Sequence, residues 1–157
     1  MTLNFLHVLT ILSLLALSRS ALILSNTPSS LKVYSSNQNY VTEYSLNAHI
    51  PSLVLLNGYV EVEFPFLFEI PSTCTVYIKT PKALVTKPKC EKISGMKYLI
   101  QIGKIIPGSY QLIFEHIRNP ALDKSSDFKI RTYVNKHTLV DSNEAFGSVT
   151  FLPFPSK

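Results

Sequence analysis

The chain has 157 residues, 46% of them hydrophobic, with five glycines, ten prolines and a formal net charge of +5. That suffices for one ordinary domain with a packed core and excludes collagen-like, linker-like and wholly disordered chains. No internal repeat occurs at periods of about 20 to 50 residues, which excludes a solenoid.

Residues 1–20 carry an apolar run of thirteen residues, Phe5 to Leu17. A membrane-spanning helix needs about 20, so the run predicts a secretory signal peptide. Ser18 and Ser20 place small residues where a signal peptidase inspects the chain, giving cleavage after Ser20. No lysine or arginine precedes the run. The competing reading is an uncleaved anchor continued through Ala21–Leu24, which Arg19 in its middle makes costly. Downstream the densest apolar run, IPSLVLLNGYV, is eleven residues, broken by Pro51 and by Asn57-Gly58. The C-terminal TFLPFPSK is too short for a lipid-anchor signal. The expectation is an exported, soluble protein with no stable membrane span. Residues 21–37 form an N-terminal segment and first strand, 38–152 the domain, and 153–157 a short tail.

After residue 20 the apolar side chains alternate with period two, the signature of half-buried strands. One face collects Tyr44, Leu46, Ala48 and Ile50, and the next strand adds Val60, Val62 and Phe64 opposite Glu61 and Glu63. Val76 and Ile78 follow, then Tyr98, Ile100 and Ile102. Phe128, Ile130 and Thr132 oppose Lys129, Arg131 and Tyr133, and in a last strand Val149 and Phe151 alternate with Ser148 and Thr150. Turn chemistry at Ser35-Ser36-Asn37, Asn57-Gly58, Pro71-Ser72, Ser94-Gly95, Pro107-Gly108, Asn119-Pro120 and Asp141-Ser142-Asn143 separates the runs. The pattern predicts an all-β fold, an antiparallel immunoglobulin-like β-sandwich of about 7–9 strands. A closed barrel is the alternative.

In IPGSYQLIFEHIRNP (106–120), Pro107-Gly108 makes a turn and Tyr110, Leu112 and Phe114 point to the core. A tyrosine heading a sandwich strand can return its hydroxyl to the backbone of the preceding turn, the tyrosine-corner arrangement. Tyr110 is therefore expected to be structural.

Cys74 and Cys90 enclose fifteen residues, Thr75 to Lys89. In an exported chain an isolated pair reads as a disulfide. His49, His116 and His137 show no zinc-type spacing with them.

Taken in order, GYVEVEFP (58–65), the cysteine pair, Asn119-Pro120 and SSDFKIRTYV (125–134) resemble the immunoglobulin-like modules repeated in very large surface proteins of ciliated protozoa. The matching positions are Phe64-Pro65, Cys74, Cys90, Asn119-Pro120 and Phe128-Lys129-Ile130-Arg131-Thr132-Tyr133, within residues 38 to 152. This chain carries one module, not many. The resemblance implies a structural or interaction role at a cell surface and brings no catalytic residue.

None of the sequence signatures of nucleophile elbows, zinc proteases, phosphate loops or dinucleotide sites occurs, and no enzymatic activity, metal or cofactor is expected. Glu61 and Glu63 share the exposed face of one strand and read as a solvated pair rather than as glycosidase carboxylates. His49 and His116 read as boundary residues. Asp123, Asp127, Asp141 and Glu144 would have to gather at one end of the sandwich to hold calcium.

The charge is uneven. Without Arg19 the chain has 14 basic and 10 acidic residues. Residues 79 to 104 alone hold seven lysines (Lys79, Lys82, Lys87, Lys89, Lys92, Lys97 and Lys104) against Glu91, a local +6. Such a segment either holds an anionic glycan or lipid headgroup or keeps sheet edges from pairing with neighbours. Its charges are expected to share one face, pinned by the disulfide. Nucleic acid is not expected, because export and the missing arginine–aromatic interleaving argue against it. The expected function is a secreted, non-enzymatic structural or adhesion module whose partner is another extracellular protein or an acidic glycan. The alternative is a carrier that opens its two sheets around a lipid or other apolar ligand.

Overall fold

The computed structural model describes residues 22–23 and 30–153. The expected signal peptide at 1–20 lies outside the described residues, as does the tail after Pro153.

Among the described residues every regular element is a strand: β1 (Leu22–Ile23), β2 (Ser30–Val33), β3 (Val41–Ile50), β4 (Val54–Glu63), β5 (Val76–Lys79), β6 (Val85–Thr86), β7 (Lys89–Ser94), β8 (Lys97–Ile105), β9 (Gly108–Arg118), β10 (Phe128–Val134) and β11 (Thr138–Gly147). They build two facing sheets. One runs β1-β11-β10-β4-β8-β7 and the other β2-β3-β9-β5-β6. All neighbours are antiparallel except β1 and β11, which pair in parallel.

The alternation read from the sequence places the core. Tyr44, Leu46, Ala48 and Ile50 of β3, Tyr110, Leu112 and Phe114 of β9, and Val76 and Ile78 of β5 are buried from one sheet; Val60, Val62, Tyr98, Ile100, Phe128, Ile130 and Thr132 are buried from the other. Phe64, just past β4, ties them together. Its ring centroid lies 5.3 Å from those of Phe114 and Phe128, 6.0 Å from Tyr98 and 6.2 Å from Tyr44, mostly edge to face. A buried aromatic contributes its transferred area, and such ring pairs add roughly 0.5 to 1.5 kcal/mol each. Phe68 meets Tyr44, Phe64, Phe128 and Phe151 in the same way. These rings fill the space between the sheets, where a carrier would have to part them.

Three local expectations fail for identifiable reasons. Asn57-Gly58 is no turn. It lies inside β4 at a bulge, between the register pairs Val54–Ile105 and Gly58–Gly103. Asp141-Ser142-Asn143 lies inside β11, because the fully buried Asp141 carboxylate accepts hydrogen bonds from Ser52 Oγ at 2.8 Å and Thr132 Oγ1 at 3.2 Å rather than turning the chain in water. Residues 148–152 form no strand. Isolated bridges at Thr150 and Leu152 hold them, while Val149 and Phe151 still bury their side chains.

Candidate functional site: the outer face of the five-stranded sheet

The strand β6 belongs to the five-stranded sheet and β7 to the other. The chain therefore changes sheets at Thr86-Lys87-Pro88-Lys89, where Pro88 has no N–H to extend a ladder. Cys74, ahead of β5, is bonded to Cys90 on β7 with Cα atoms 5.6 Å apart, so the expected disulfide staples this seam. The seam explains why the lysine segment does not lie on one face, as its spacing led us to expect.

Lys92 and Lys97 are taken up by the fold. Lys92 Nζ donates to the Ile70 carbonyl at 2.8 Å. Lys97 Nζ sits 3.6 Å from Glu61 and 3.3 Å from Glu63. Lys89 opens β7 opposite Gln101 and borders a small cleft with Tyr59, Glu91 and Lys136. Lys79, Lys82 and Lys87 go with the β5–β6 hairpin and are exposed.

Glu61 and Glu63 are not a solvated pair. Cross-strand register sets Arg131 opposite Glu61 and Lys129 opposite Glu63. Arg131 Nη1 reaches Glu61 at 2.6 Å and Glu63 at 3.0 Å, and its Nε and Nη2 clamp Glu144 at 2.6 and 2.5 Å. Burial works to raise the Glu63 pKa, but hydrogen bonds from Arg131, Lys129 and Lys97 outweigh it and hold the group at about 2. Glu144 is occupied here, Asp141 is buried, and Asp123 accepts from Gln38. Among the described residues no group of three or more His, Cys, Asp or Glu could hold a metal ion.

Tyr110 stands where the turn chemistry puts it. Its ring is buried, and its hydroxyl donates to the Ile106 carbonyl and accepts from the Ile106 N–H, both at 3.0 Å. Burial raises its pKa despite the Ile106 bond. Asn119, a turn residue by its sequence, is a buried hub. Its Oδ1 accepts from the Tyr44 hydroxyl, while its Nδ2 donates to the carbonyls of Ser35 at 2.9 Å and Asn37 at 2.7 Å. The Asn-Pro signal marks the turn; the long-range partners are invisible in the sequence.

The surface with binding chemistry is the outer side of β2, β3, β9 and β5. One register row crosses all four strands: Ser30, Asn47, Gln111 and Lys79. The next row is Lys32, Ser45, Ile113 and Tyr77. Asn47 Nδ2 donates to Ser30 Oγ at 2.7 Å and Gln111 Nε2 to Ser45 Oγ at 2.9 Å, so the amides are held in place. A cleft of about 430 Å³ opens over Asn47, Lys79, Thr80, Pro81, Ala83, Ser109, Tyr110 and Gln111. The Thr80 Oγ1 is buried there without a hydrogen-bond partner, and a buried hydroxyl left unpaired is costly. Lys87 Nζ lies 5.5 Å from the Tyr77 ring centre and Lys32 Nζ 5.0 Å from that of Tyr34, so two cation–tyrosine pairs flank the rows. Glu43 and Glu115 border a separate cleft of about 380 Å³ with Tyr34 and the exposed His116. Lys79 and Lys87 thus lie on the β5–β6 side of the face, while Glu43 and Glu115 share the other cleft with Tyr34, on which Lys32 rests. His49, opposite Ser109, keeps its Nδ1 buried without a partner.

No helix among the described residues is long and apolar enough to cross a membrane. No protein-family model matches the chain, and no curated protein matches it. Similar solved structures include BslA, a bacterial hydrophobin, at 12% identity over 80% of this chain and 96% of that one, with a TM-score of 0.49. A second is AvmM, described as catalysing macrocyclization in alchivemycin A biosynthesis, at 8% identity over 84% and 93%, with a TM-score of 0.41. A third is the reeler domain of human F-spondin, at 10% identity over 86% and 95%, with a TM-score of 0.37.

Proposed function

We propose that the chain is an exported, non-enzymatic, immunoglobulin-like interaction module that holds an acidic glycan on the outer face of its five-stranded sheet. Export is supported by the apolar run at Phe5–Leu17 and by the Cys74–Cys90 disulfide. The immunoglobulin-like reading is supported by the two-sheet sandwich, the corner made by Tyr110, and the order of motifs shared with the ciliate surface modules.

The observation that carries the function is the row Ser30–Asn47–Gln111–Lys79. Amide and hydroxyl groups both donate and accept, as sugar hydroxyls do. Lys79 supplies the charge for a carboxylate or sulfate, and Tyr77, two residues back on the same strand, offers a ring face. The contact is electrostatic at its edge, so salt screens it over about 8 to 10 Å.

Retention on an immobilised acidic polysaccharide across a salt gradient tests this. The parent is retained and elutes with rising salt. Lys79→Gln with Lys87→Gln elutes markedly earlier, while Lys89→Gln, on the other sheet, elutes with the parent. Thermal midpoints stay close, since exposed charges contribute little to folding. Elution of the parent and the double variant together at low salt overturns the reading.

A further inference from the structure

The apolar run Leu53–Leu56 is only partly used by the core. Val54 is buried, but its neighbours Leu53, Leu55 and Leu56 are 54, 63 and 75% exposed. They are held out by the backbone. Val54 faces Ile105 and Gly58 faces Gly103, so residues 55–57 stand against the single residue Lys104. Asn57 takes a left-handed φ of 52°, and its carbonyl accepts from the Asn135 N–H at 2.9 Å. A Cβ at Gly58 would come within 2.7 Å of the Gly103 carbonyl oxygen, so only glycine lets β8 close behind the bulge. The result is a fixed protrusion tipped with leucine, and exposed apolar clusters of this kind mark contact sites.

Among the described residues one unpaired cation, Lys104, stands beside it. Lys104 lies directly across the bulge, and Lys136 and His137 occupy the β10–β11 turn to which Asn57 is bonded. At this end of the sandwich Asp141 is buried against Ser52 and Thr132. Glu91 is paired with Lys136 at 2.5 Å. Lys104 has no ion-pair partner among the described residues.

We infer that the Leu53–Leu56 bulge docks the module on a lipid surface carrying anionic headgroups, its leucines entering the headgroup–acyl boundary and Lys104 meeting the phosphates. Leucine tips beside the cation Lys104 match the apolar interior and negative face of such a surface. A second copy of the chain is a poorer occupant, because a stable dimer buries about 800 Å² on each partner and three side chains on a convex tip supply far less. This site is separate from the glycan face and stands or falls without it.

Co-sedimentation with vesicles of phosphatidylcholine and phosphatidylserine, against phosphatidylcholine alone, is the test. The parent sediments with the mixed vesicles and less with the neutral ones. Leu55→Ser with Leu56→Ser lowers partition at least about tenfold, with an unchanged thermal midpoint and unchanged polysaccharide retention. The chain has no tryptophan, so Leu56→Trp adds a sole reporter whose emission shifts to the blue on the mixed vesicles. A parent that stays in the supernatant, a double-serine variant that sediments like the parent, or an unshifted emission each overturns the inference. So does a dimer in sedimentation velocity that the double-serine variant abolishes, which would make the occupant a second copy.

Discussion

Arg131 stands directly opposite Glu61 across β10 and β4, and its Nη1 holds that carboxylate at 2.6 Å while the rest of the guanidinium clamps Glu144. The Glu61 side chain is only 9% exposed, so water cannot readily take this partner's place. Replacing Arg131 with methionine keeps the aliphatic stem and strands the carboxylate. Fully buried pairs broken this way cost roughly 3 to 5 kcal/mol. With Lys97 still 3.6 Å from Glu61, about 2 to 3 kcal/mol is expected in denaturant melts. A variant as stable as the parent would show that the lysine alone suffices.

The same network sets an acid limit. The folded-state pKa of Glu63 is depressed to about 2 from an ordinary 4.5, through its bonds to Arg131, Lys129 and Lys97. The unfolded chain takes up the proton first as pH falls, so the stabilisation is complete above about 4.5 and is lost progressively toward 2. Stability measured by urea melts between pH 6 and pH 2 (about four steps suffice) falls in that window. Glu63→Gln flattens the fall. Equal slopes in the two proteins would remove Glu63 from the account.

Tyr110→Phe deletes only the hydroxyl bonded to Ile106 and is expected to cost about 1 kcal/mol. Tyr110→Ala also leaves a cavity under the β8–β9 turn and is expected to cost roughly 3 to 5 kcal/mol. Two variants with the parent's stability would show that the corner contributes nothing.

The disulfide closes the loop across the sheet seam. Cys74→Ser with Cys90→Ser is expected to lose about 3 kcal/mol, the chain-entropy value for a fifteen-residue loop. Calorimetry of the double variant against the parent reads this loss. An unchanged midpoint would mean that Pro88 and the β7–β8 pairing already fix the seam.

Residue spacing determined most of the strands and their inward faces, because period-two burial is a local property of an extended chain; the expected 7–9 strands became eleven among the described residues. Tyr44, Tyr110, Phe114, Phe128 and Ile130 all lie where alternation puts them. The disulfide was legible from cysteine number, and the Tyr110 corner from a turn followed by a strand. Only the tertiary structure decided which outward residues meet. Glu61 and Glu63 look solvated until β10 brings Arg131 and Lys129 against them from almost seventy residues away. The lysine run looks like one patch until the chain changes sheets at Pro88 and divides it. Asn57-Gly58 and Asp141-Ser142-Asn143 carry turn chemistry, but a close strand at Gly103 and buried hydroxyls from Ser52 and Thr132 override it. The row Ser30–Asn47–Gln111–Lys79 joins four strands whose register is set by their buried faces, so its outer side chains are aligned by packing that no local stretch of sequence encodes.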